Sequence, residues 1–146
     1  MASGVQVDAK CVDAIQALVK GRKFRGAVFR ISDDMSLVEL EKTYDPSDAS
    51  PKADWDSFTK DLPEKDCRYI VYDFSYVHQG ATKQRVLFVL WSPEYSKVKS
   101  KMIYASSQEG VVNKFEGIQR QLQCTDAEDL EYDVIAKQLA AHTAGY

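Results

Sequence analysis

Cysteine and histidine, the side chains most often found at metal centres and at acid–base or nucleophilic sites, are scarce in this sequence. The 146 residues contain three cysteines and two histidines. Cys11, Cys67 and Cys124 are odd in number, widely spaced and without a C-x-x-C pair, so they predict neither a disulfide framework nor a zinc site. We therefore expect no metal, no cofactor and a reducing, cytosolic setting.

Long apolar runs and an excess of basic residues are also missing. No apolar run approaches the roughly 18 residues of a membrane span, and the N-terminus lacks the basic and apolar regions of a signal peptide. We therefore expect a cytoplasmic protein with no transmembrane segment. The formal net charge of −3 argues against a general nucleic-acid binder. Any basic recognition surface must be local.

Recognisable active-site motifs are absent as well. His78 and His142 are the only histidines, and neither stands in a nucleophile or metal-binding motif. Asp73 lies among aromatic residues and could be a buried acid, but such an aspartate is more often a hydrogen-bonded part of the structure. We predict that the protein is not an enzyme, and an uncharacterised enzyme remains a remote alternative.

The segments that are present predict one domain spanning residues 1–146, a length that can bury a core without covalent cross-links. Residues 1–7 are expected to form a flexible N-terminal segment, and residues 45–54 a loop. Apolar patterns predict five strands, at residues 24–31, 36–44, 67–77, 83–91 and 118–124. Amphipathic spacing predicts four helices, after Asp8, around Trp55, from Ser92 to about Gly117, and over 131–141.

The order of these segments predicts the fold class. Residues 79–82 make a hairpin turn between the third and fourth strands. The fourth strand, the long helix and the fifth strand form a crossover unit, so the last two strands should be parallel. The expected fold is α+β, with a central five-stranded mixed sheet between helices on both faces, a three-layer α/β/α arrangement.

The long helix has an unusual apolar pattern. Ser92 and Pro93 suit its N-cap and first position. Its apolar residues form two faces, Tyr95, Val98, Met102 and Ala105 on one and Val111, Val112 and Phe115 on the other. A bend near residues 106–107 would allow both faces to pack on one sheet.

Two groups of basic residues could belong to recognition surfaces. Lys97 and Lys101 stand one turn apart on the long helix, with Lys99 on another edge. From the pattern alone, a solvated flank of a packing helix explains these lysines as well as a recognition surface does. Lys83 and Arg85 are two residues apart, so they point to one side of a strand. Protection against edge-to-edge pairing is the alternative explanation for the strand pair.

Three blocks of sequence identify a family. Residues 91–107 read WSPEYSKVKSKMIYASS, residues 62–74 read LPEKDCRYIVYDF, and residues 117–126 read GIQRQLQCTD. In this order they resemble the ADF/cofilin family of actin-binding proteins, and the resemblance covers essentially the whole chain as one ADF-homology domain. Matches of this length are far more specific than a short motif.

The resemblance implies a protein that binds actin monomers and filaments, promotes filament disassembly and turnover, acts as a monomer and is associated with the cytoskeleton. The implied contacts with both monomer and filament are Ser3, Gly4, Val5, Lys99, Lys101, Met102, Ser107 and Glu109. The implied filament contacts are Lys83, Arg85 and Lys137. The resemblance also implies a regulatory phosphorylation site at Ser3. A phosphoinositide-responsive membrane–cytoskeleton adaptor is the alternative function.

Two departures from the family pattern affect these expectations. Val112 and Asn113 stand where a basic pair is common in the long helix. In the last helix, Lys137, Gln138 and Ala141 stand where Glu, Arg and a later Arg are common. The monomer contacts are therefore retained, whereas the filament contacts are reduced mainly to the hairpin. We predict weak severing of filaments.

Overall fold

The computed structural model describes residues 4–141, so Ser3 and His142 lie outside the described residues. The described chain forms six strands, four α-helices and one short 3-10 helix. In chain order these elements are β1 (Gln6–Val7), α1 (Ala9–Val19), β2 (Gly26–Ile31), β3 (Leu37–Tyr44), α2 (Pro51–Lys60), β4 (Arg68–His78), β5 (Ala81–Trp91), α3 (Val98–Lys114), β6 (Arg120–Cys124), the 3-10 helix (Ala127–Leu130) and α4 (Tyr132–Ala141). Each of the five predicted strands is present, with its ends within two residues of the prediction.

The strands form one mixed sheet in the order β1-β3-β2-β4-β5-β6. β4 and β5 are an antiparallel hairpin joined by Gln79 and Gly80, whose φ angles are 52° and 77°. Positive φ at both connecting residues matches the twist of the flanking strands, and glycine adopts it without a steric penalty. After α3, β6 pairs in parallel with β5, which confirms the predicted crossover.

The sixth strand, β1, lies in the segment predicted to be flexible. Gln6 and Val7 pair in parallel with Leu37 and Val38 of β3, and Val5 is fully buried. The expectation of a flexible segment extending to residue 7 is therefore wrong for residues 5–7. A two-residue strand is too short to show a periodic pattern, so only its pairing partner reveals it.

Helices cover both faces of the sheet, as the predicted three-layer arrangement requires. One core cluster joins α1 and α3 to the sheet and includes Ile15, Leu18, Phe29, Tyr69, Phe88 and Tyr104. The other joins α2 and α4 to the opposite face and includes Trp55, Phe58, Ile70, Tyr72, Leu87 and Ile135. Alternation along the strands assigns neighbouring residues such as Tyr69 and Ile70 to opposite clusters.

The start of α3 differs from the prediction. The helix begins at Val98, and its N-cap Lys97 makes no side-chain capping bond. Ser92 is buried and directly follows β5, where its backbone N–H donates to the Cys124 carbonyl at 2.9 Å. The prediction of an N-cap at Ser92 is therefore wrong, since this bond holds Ser92 against the end of β6 and the helix begins only at Val98.

The same Ser-Pro dipeptide does start α2. The Ser50 hydroxyl accepts from the Ala53 N–H at 3.2 Å, and Pro51 occupies the first turn. The predicted loop 45–54 therefore ends at residue 50. Asp8 caps α1 as predicted, because its carboxylate accepts from the Lys10 N–H at 3.1 Å. A capping dipeptide thus starts a helix only where no strand competes for its backbone.

Candidate functional site

The exposed large apolar side chains of the described chain concentrate at the start of α3. Tyr95 is 79% exposed, Val98 71% and Met102 67%. Val77, near the tip of the β4–β5 hairpin, is the other such residue within 4–141. We call Tyr95, Val98 and Met102 the α3 ridge. Single exposed apolar residues are ordinary on protein surfaces, whereas a group of them is a candidate interaction surface.

The position of the α3 ridge corrects the expectation that both apolar faces of α3 are buried. The first face is exposed and Tyr104 is buried in its place, whereas Val111 and Phe115 of the second face are buried as predicted. α3 is continuous from Val98 to Lys114, and with the first face exposed no bend is needed to bury it. The sequence carried a signal for this, because Lys99 and Lys101 flank the first apolar face of the helix on its two sides.

Buried tyrosines hold α3 against the sheet. The Tyr104 hydroxyl accepts from the Ile31 N–H at 2.8 Å, and the Tyr69 hydroxyl donates to the Tyr104 carbonyl. Burial raises the pKa of both tyrosines, so both hydroxyls stay protonated at neutral pH. These bonds fix the rotation of α3 about its axis, and that rotation keeps the α3 ridge in solvent.

Lysines surround the α3 ridge. Lys97 and Lys99 are exposed and form no ion pair within the described chain. Lys101 is half-buried, and its ammonium donates to the Glu94 carbonyl in the turn before α3. The ridge is thus an apolar surface with unpaired positive charges beside it, which suits an acidic partner with an apolar cleft.

The structure brings some of the predicted contact residues together and separates others. Lys101 and Met102 line a shallow cavity of about 520 Å³ between α3 and the end of β6. Glu109 lines the next cavity along α3, of about 430 Å³, and Ala105 lines both. Lys99 lines a different cavity, on the side of α3 that faces β2 and the start of β4. The predicted residues therefore lie along both flanks of α3.

Two predicted contact residues lie inside the protein. Val5 and Ser107 are both fully buried, and the structure therefore offers neither side chain to a partner. Gly4 is exposed, with a φ of 76°, and Ser3 lies outside the described residues. Val5 belongs to the core cluster that contains Tyr104 and Val111 of α3, so the ordered start of the chain and α3 share one face of the sheet.

The predicted filament contacts lie on the opposite face. Lys83 and Arg85 are half-buried and stand opposite Tyr76 and Phe74 in the β4–β5 hairpin. Residues two apart in a strand share a face, so both basic side chains lie on the face of Leu87, which packs with α2 and α4.

The last helix contributes little positive charge to this second surface. Lys137 is exposed on α4 and is the one basic residue of that helix. Gln138 and Ala141 are also exposed. Lys83, Arg85 and Lys137 therefore share one face of the sheet, and the positions where the family pattern has arginines are open to solvent but uncharged.

The cysteines, and the aspartate considered above as a buried acid, are buried or paired. Burial raises the pKa of Cys11 and of Cys124 to about 12, so both thiols are protonated at neutral pH. Asp73, whose pKa burial also raises, pairs with Arg22 at 3.2 Å. Within residues 4–141 no three His, Cys, Asp or Glu side chains are grouped to hold a metal ion. No helix of that same stretch is long and apolar enough to cross a membrane.

Comparisons with known proteins agree with the fold and with the sequence blocks. The family model for cofilin/tropomyosin-type actin-binding protein matches residues 4–140. Cofilin from Schizosaccharomyces pombe is 36% identical over 137 residues, covering 94% of this chain and 96% of the relative. Actin-depolymerizing factor 8 from Arabidopsis thaliana is 37% identical over 139 residues, covering 94% of this chain and 96% of that protein.

A solved structure extends the similarity to three dimensions. Cofilin from Streptomyces griseoflavus superposes with a TM-score of 0.83 at 30% identity, covering 94% of this chain and 98% of the other. The agreement spans sequence, family model and fold over nearly the whole chain. The chain therefore belongs to the cofilin/ADF family of actin-binding proteins.

Proposed function

We propose that this protein binds actin monomers and filaments and promotes the disassembly and turnover of filaments, acting as a monomer on the cytoplasmic cytoskeleton. The observation that carries this proposal is the α3 ridge with its unpaired lysines, in a chain of an actin-binding family. The activity is recognition and not bond breaking.

The α3 ridge supplies the apolar part of the proposed contact. Full burial of an apolar side chain contributes about 1.5–3 kcal/mol, and Tyr95, Val98 and Met102 are each at least two-thirds exposed before binding. Met102 has an unbranched, polarisable side chain that adapts to an irregular cleft. Lys99, which is exposed beside the ridge, complements an acidic partner and speeds encounter.

The second face supplies the filament contact in this proposal. Lys83, Arg85 and Lys137 share the face of the sheet opposite α3, so one molecule could touch two actin subunits at once. If the bound protein favours an arrangement of neighbouring subunits that differs from that in the undisturbed filament, its binding shifts the filament towards disassembly. Because Gln138 and Ala141 replace charged groups on this face, severing is proposed to be weak.

Ser3 is proposed as a regulatory phosphorylation site. A phosphate carries a charge of about −1.5 to −2 at neutral pH and would repel an acidic partner. Ser3→Glu is therefore expected to reduce both monomer and filament binding without changing the melting temperature. Equal depolymerisation rates for wild type and Ser3→Glu would remove the N-terminus as a switch.

The phosphoinositide alternative has less support. Val112 and Asn113 replace a basic pair on α3, and Val112 is half-buried. Flotation with vesicles that contain or lack a phosphoinositide separates this alternative from actin binding, since only a lipid-responsive adaptor floats with the first kind.

Cosedimentation with actin filaments tests the proposed function. The expected result is protein in the pellet and additional actin in the supernatant. Tyr95→Ser with Met102→Ser should abolish most of this effect. Ala49→Ser, at an exposed position in the loop before α2 and outside both the ridge and the hairpin, serves as the control. Absence of wild-type protein from the pellet, with no change in soluble actin, would overturn the proposal.

A further inference from the structure

A second polar site lies on the α2 side of the sheet. A cavity of about 240 Å³ opens between α2, the ends of β2 and β3, and β4. Its lining includes three carboxylates and three aromatic rings, contributed by Asp45, Asp54, Asp61, Tyr44, Phe58 and Tyr72. We call it the Asp54–Tyr72 pocket. It lies on the face opposite α3 and is therefore separate from the α3 ridge.

Two buried polar atoms of this pocket have no hydrogen-bond partner. Tyr72 is 2% exposed, and its hydroxyl is unpartnered. The Asp54 Oδ2 atom is also buried and unpartnered, although Asp54 Oδ1 accepts from the Ser47 hydroxyl. The Arg25 guanidinium is 3.7 Å from Oδ2, too far for a hydrogen bond. Buried polar groups are nearly always hydrogen-bonded, so these two atoms are exceptions that an incoming N–H donor would satisfy.

The charges around the pocket favour a cation. Asp61 forms an ion pair with the Lys42 ammonium at 3.3 Å, whereas Asp54 and the Arg25 guanidinium are farther apart, at 3.7 Å. Asp45 forms no ion pair with any other described residue. The three carboxylates therefore outnumber the two cations beside them, Lys42 and Arg25. An incoming positively charged N–H donor would form a hydrogen bond with Asp54 Oδ2 and neutralise the excess negative charge.

The aromatic walls favour a planar cation. The rings of Tyr44 and Phe58 are 4.7 Å apart, and those of Phe58 and Tyr72 are 4.9 Å apart, so the three form one continuous wall. The Lys42 ammonium already lies 4.7 Å from the Tyr44 ring centroid. A guanidinium stacks on aromatic rings and presents several N–H donors in a fixed plane, which an ammonium does not.

We propose that the Asp54–Tyr72 pocket receives an arginine side chain of a partner protein, whose guanidinium donates to Asp54 Oδ2 and to the Tyr72 hydroxyl. The volume of the cavity suits one long side chain and not a larger ligand. Trp55 of α2 packs on both Tyr72 and Phe74 and stands between this pocket and the basic hairpin surface. The pocket is thus a third proposed contact site, which shares a face of the sheet with the basic hairpin surface and is separated from it by Trp55.

Titration of the labelled full-length protein with N-acetyl-arginine methylamide, followed by NMR, tests this proposal. The expected result is saturable shifts at the amides of the lining residues, with a dissociation constant in the millimolar range. The citrulline analogue, which has the same shape and no charge, should bind at least fivefold more weakly. No saturable shift, or equal binding of the citrulline analogue, would overturn the proposal.

Variants locate the binding. Tyr72→Phe removes only an unpartnered hydroxyl, so the protein should fold normally and bind the arginine probe at least threefold more weakly. Asp54→Asn should weaken binding at least fivefold, and Asp48→Asn, an exposed carboxylate outside the pocket, should have no effect. Neither pocket variant should change affinity for actin monomers, which keeps this test separate from the proposed function. An unchanged affinity for the probe in both pocket variants would place binding elsewhere and refute the proposal.

Discussion

Two tyrosines of one strand illustrate how much depends on a single atom. Tyr69 and Tyr72 are both buried in β4, with 0% and 2% of their surface exposed. The Tyr69 hydroxyl donates to the Tyr104 carbonyl of α3, whereas the Tyr72 hydroxyl has no partner. A buried hydroxyl contributes to stability when it is bonded and opposes folding when it is not. The two residues therefore invite opposite predictions.

Tyr69→Phe is expected to lower the free energy of unfolding by about 0.5–1.5 kcal/mol, because it removes the buried hydrogen bond from the Tyr69 hydroxyl to the Tyr104 carbonyl. Tyr72→Phe is expected to be neutral or stabilising. For a domain of this length, about 1 kcal/mol corresponds to roughly 2–4 °C in melting temperature. Thermal unfolding of the two variants beside wild type measures the difference. A larger loss in Tyr72→Phe than in Tyr69→Phe would contradict this assignment of hydrogen bonds.

The lysines beside the α3 ridge give a second residue-scale prediction. Lys99→Ala with Lys101→Ala should weaken binding to actin monomers by about 2 kcal/mol or more if these lysines lie near the centre of the interface. Stability should change little, because Lys99 is exposed and Lys101 makes one bond, to the Glu94 carbonyl. Titration against labelled actin monomer measures the affinity. Lys20→Ala with Lys23→Ala, two exposed lysines at the end of α1, is the control.

At the scale of elements, the turn between β2 and β3 depends on one carboxylate. Asp34 Oδ1 accepts from the hydroxyls of Ser32 and Ser36, each at 2.6 Å, and from the Ser36 N–H at 3.0 Å. These bonds, that of Ser32 first, lower the pKa of Asp34 to about 2. They hold a turn in which Met35 has a φ of 61°, a conformation unfavourable for a non-glycine residue.

The lowered pKa of Asp34 predicts a pH dependence of stability. Because the carboxylate is more acidic in the folded state, its contribution is present above its ordinary pKa and is lost as the pH falls towards about 2. Asp34→Asn should therefore melt below wild type at pH 7, with the difference shrinking between about pH 4 and pH 2. Unfolding curves across this range measure it, with Asp48→Asn as the control. A constant difference across the range would show that Asp34 does not titrate with the turn.

At the scale of the whole molecule, the sheet separates the two proposed actin surfaces. The α3 ridge lies on the α1 and α3 face, and the basic hairpin residues lie on the α2 and α4 face. In the proposed function, monomer binding uses the first surface, whereas severing requires both surfaces engaged on neighbouring subunits. We therefore expect a weakness of the second surface to reduce severing more than it reduces monomer binding.

Gln138→Arg with Ala141→Arg is expected to increase severing with little change in monomer affinity. Each arginine could pair with carboxylates across the filament contact and contribute roughly 1–3 kcal/mol if central, and little if at the rim. Both positions are exposed, so the substitutions should not disturb the fold. Imaging of single filaments at matched monomer affinity measures the breaks. Frequent breaks by the wild type, equal to those of the variant, would show that the hairpin half of the surface suffices.

Local sequence patterns determine much of this fold. The five longer strands follow from apolar periodicity, and the Asp8 cap follows from the chemistry of the first turn. The parallel pairing of β5 and β6 follows from the order strand, helix, strand. The family follows from the blocks at 62–74, 91–107 and 117–126. Each of these properties depends on residues that are close together in the chain. The composition and spacing of those residues are therefore enough to predict it.

Tertiary structure decided which of these residues reach the surface. Ser50 and Ser92 precede proline alike, but only Ser92 lies beside Cys124, a residue distant in the chain, and pairs with it instead of capping a helix. α3 exposes Met102 and buries Tyr104 because Tyr104 bonds to Ile31 and Tyr69. β1 and the Asp54–Tyr72 pocket depend on similarly distant neighbours. The sequence by itself therefore determined the five longer strands, the four α-helices, their order and the family. The exposure and the hydrogen-bond partners of individual residues were decided by contacts between segments far apart in the chain, which no local pattern encodes.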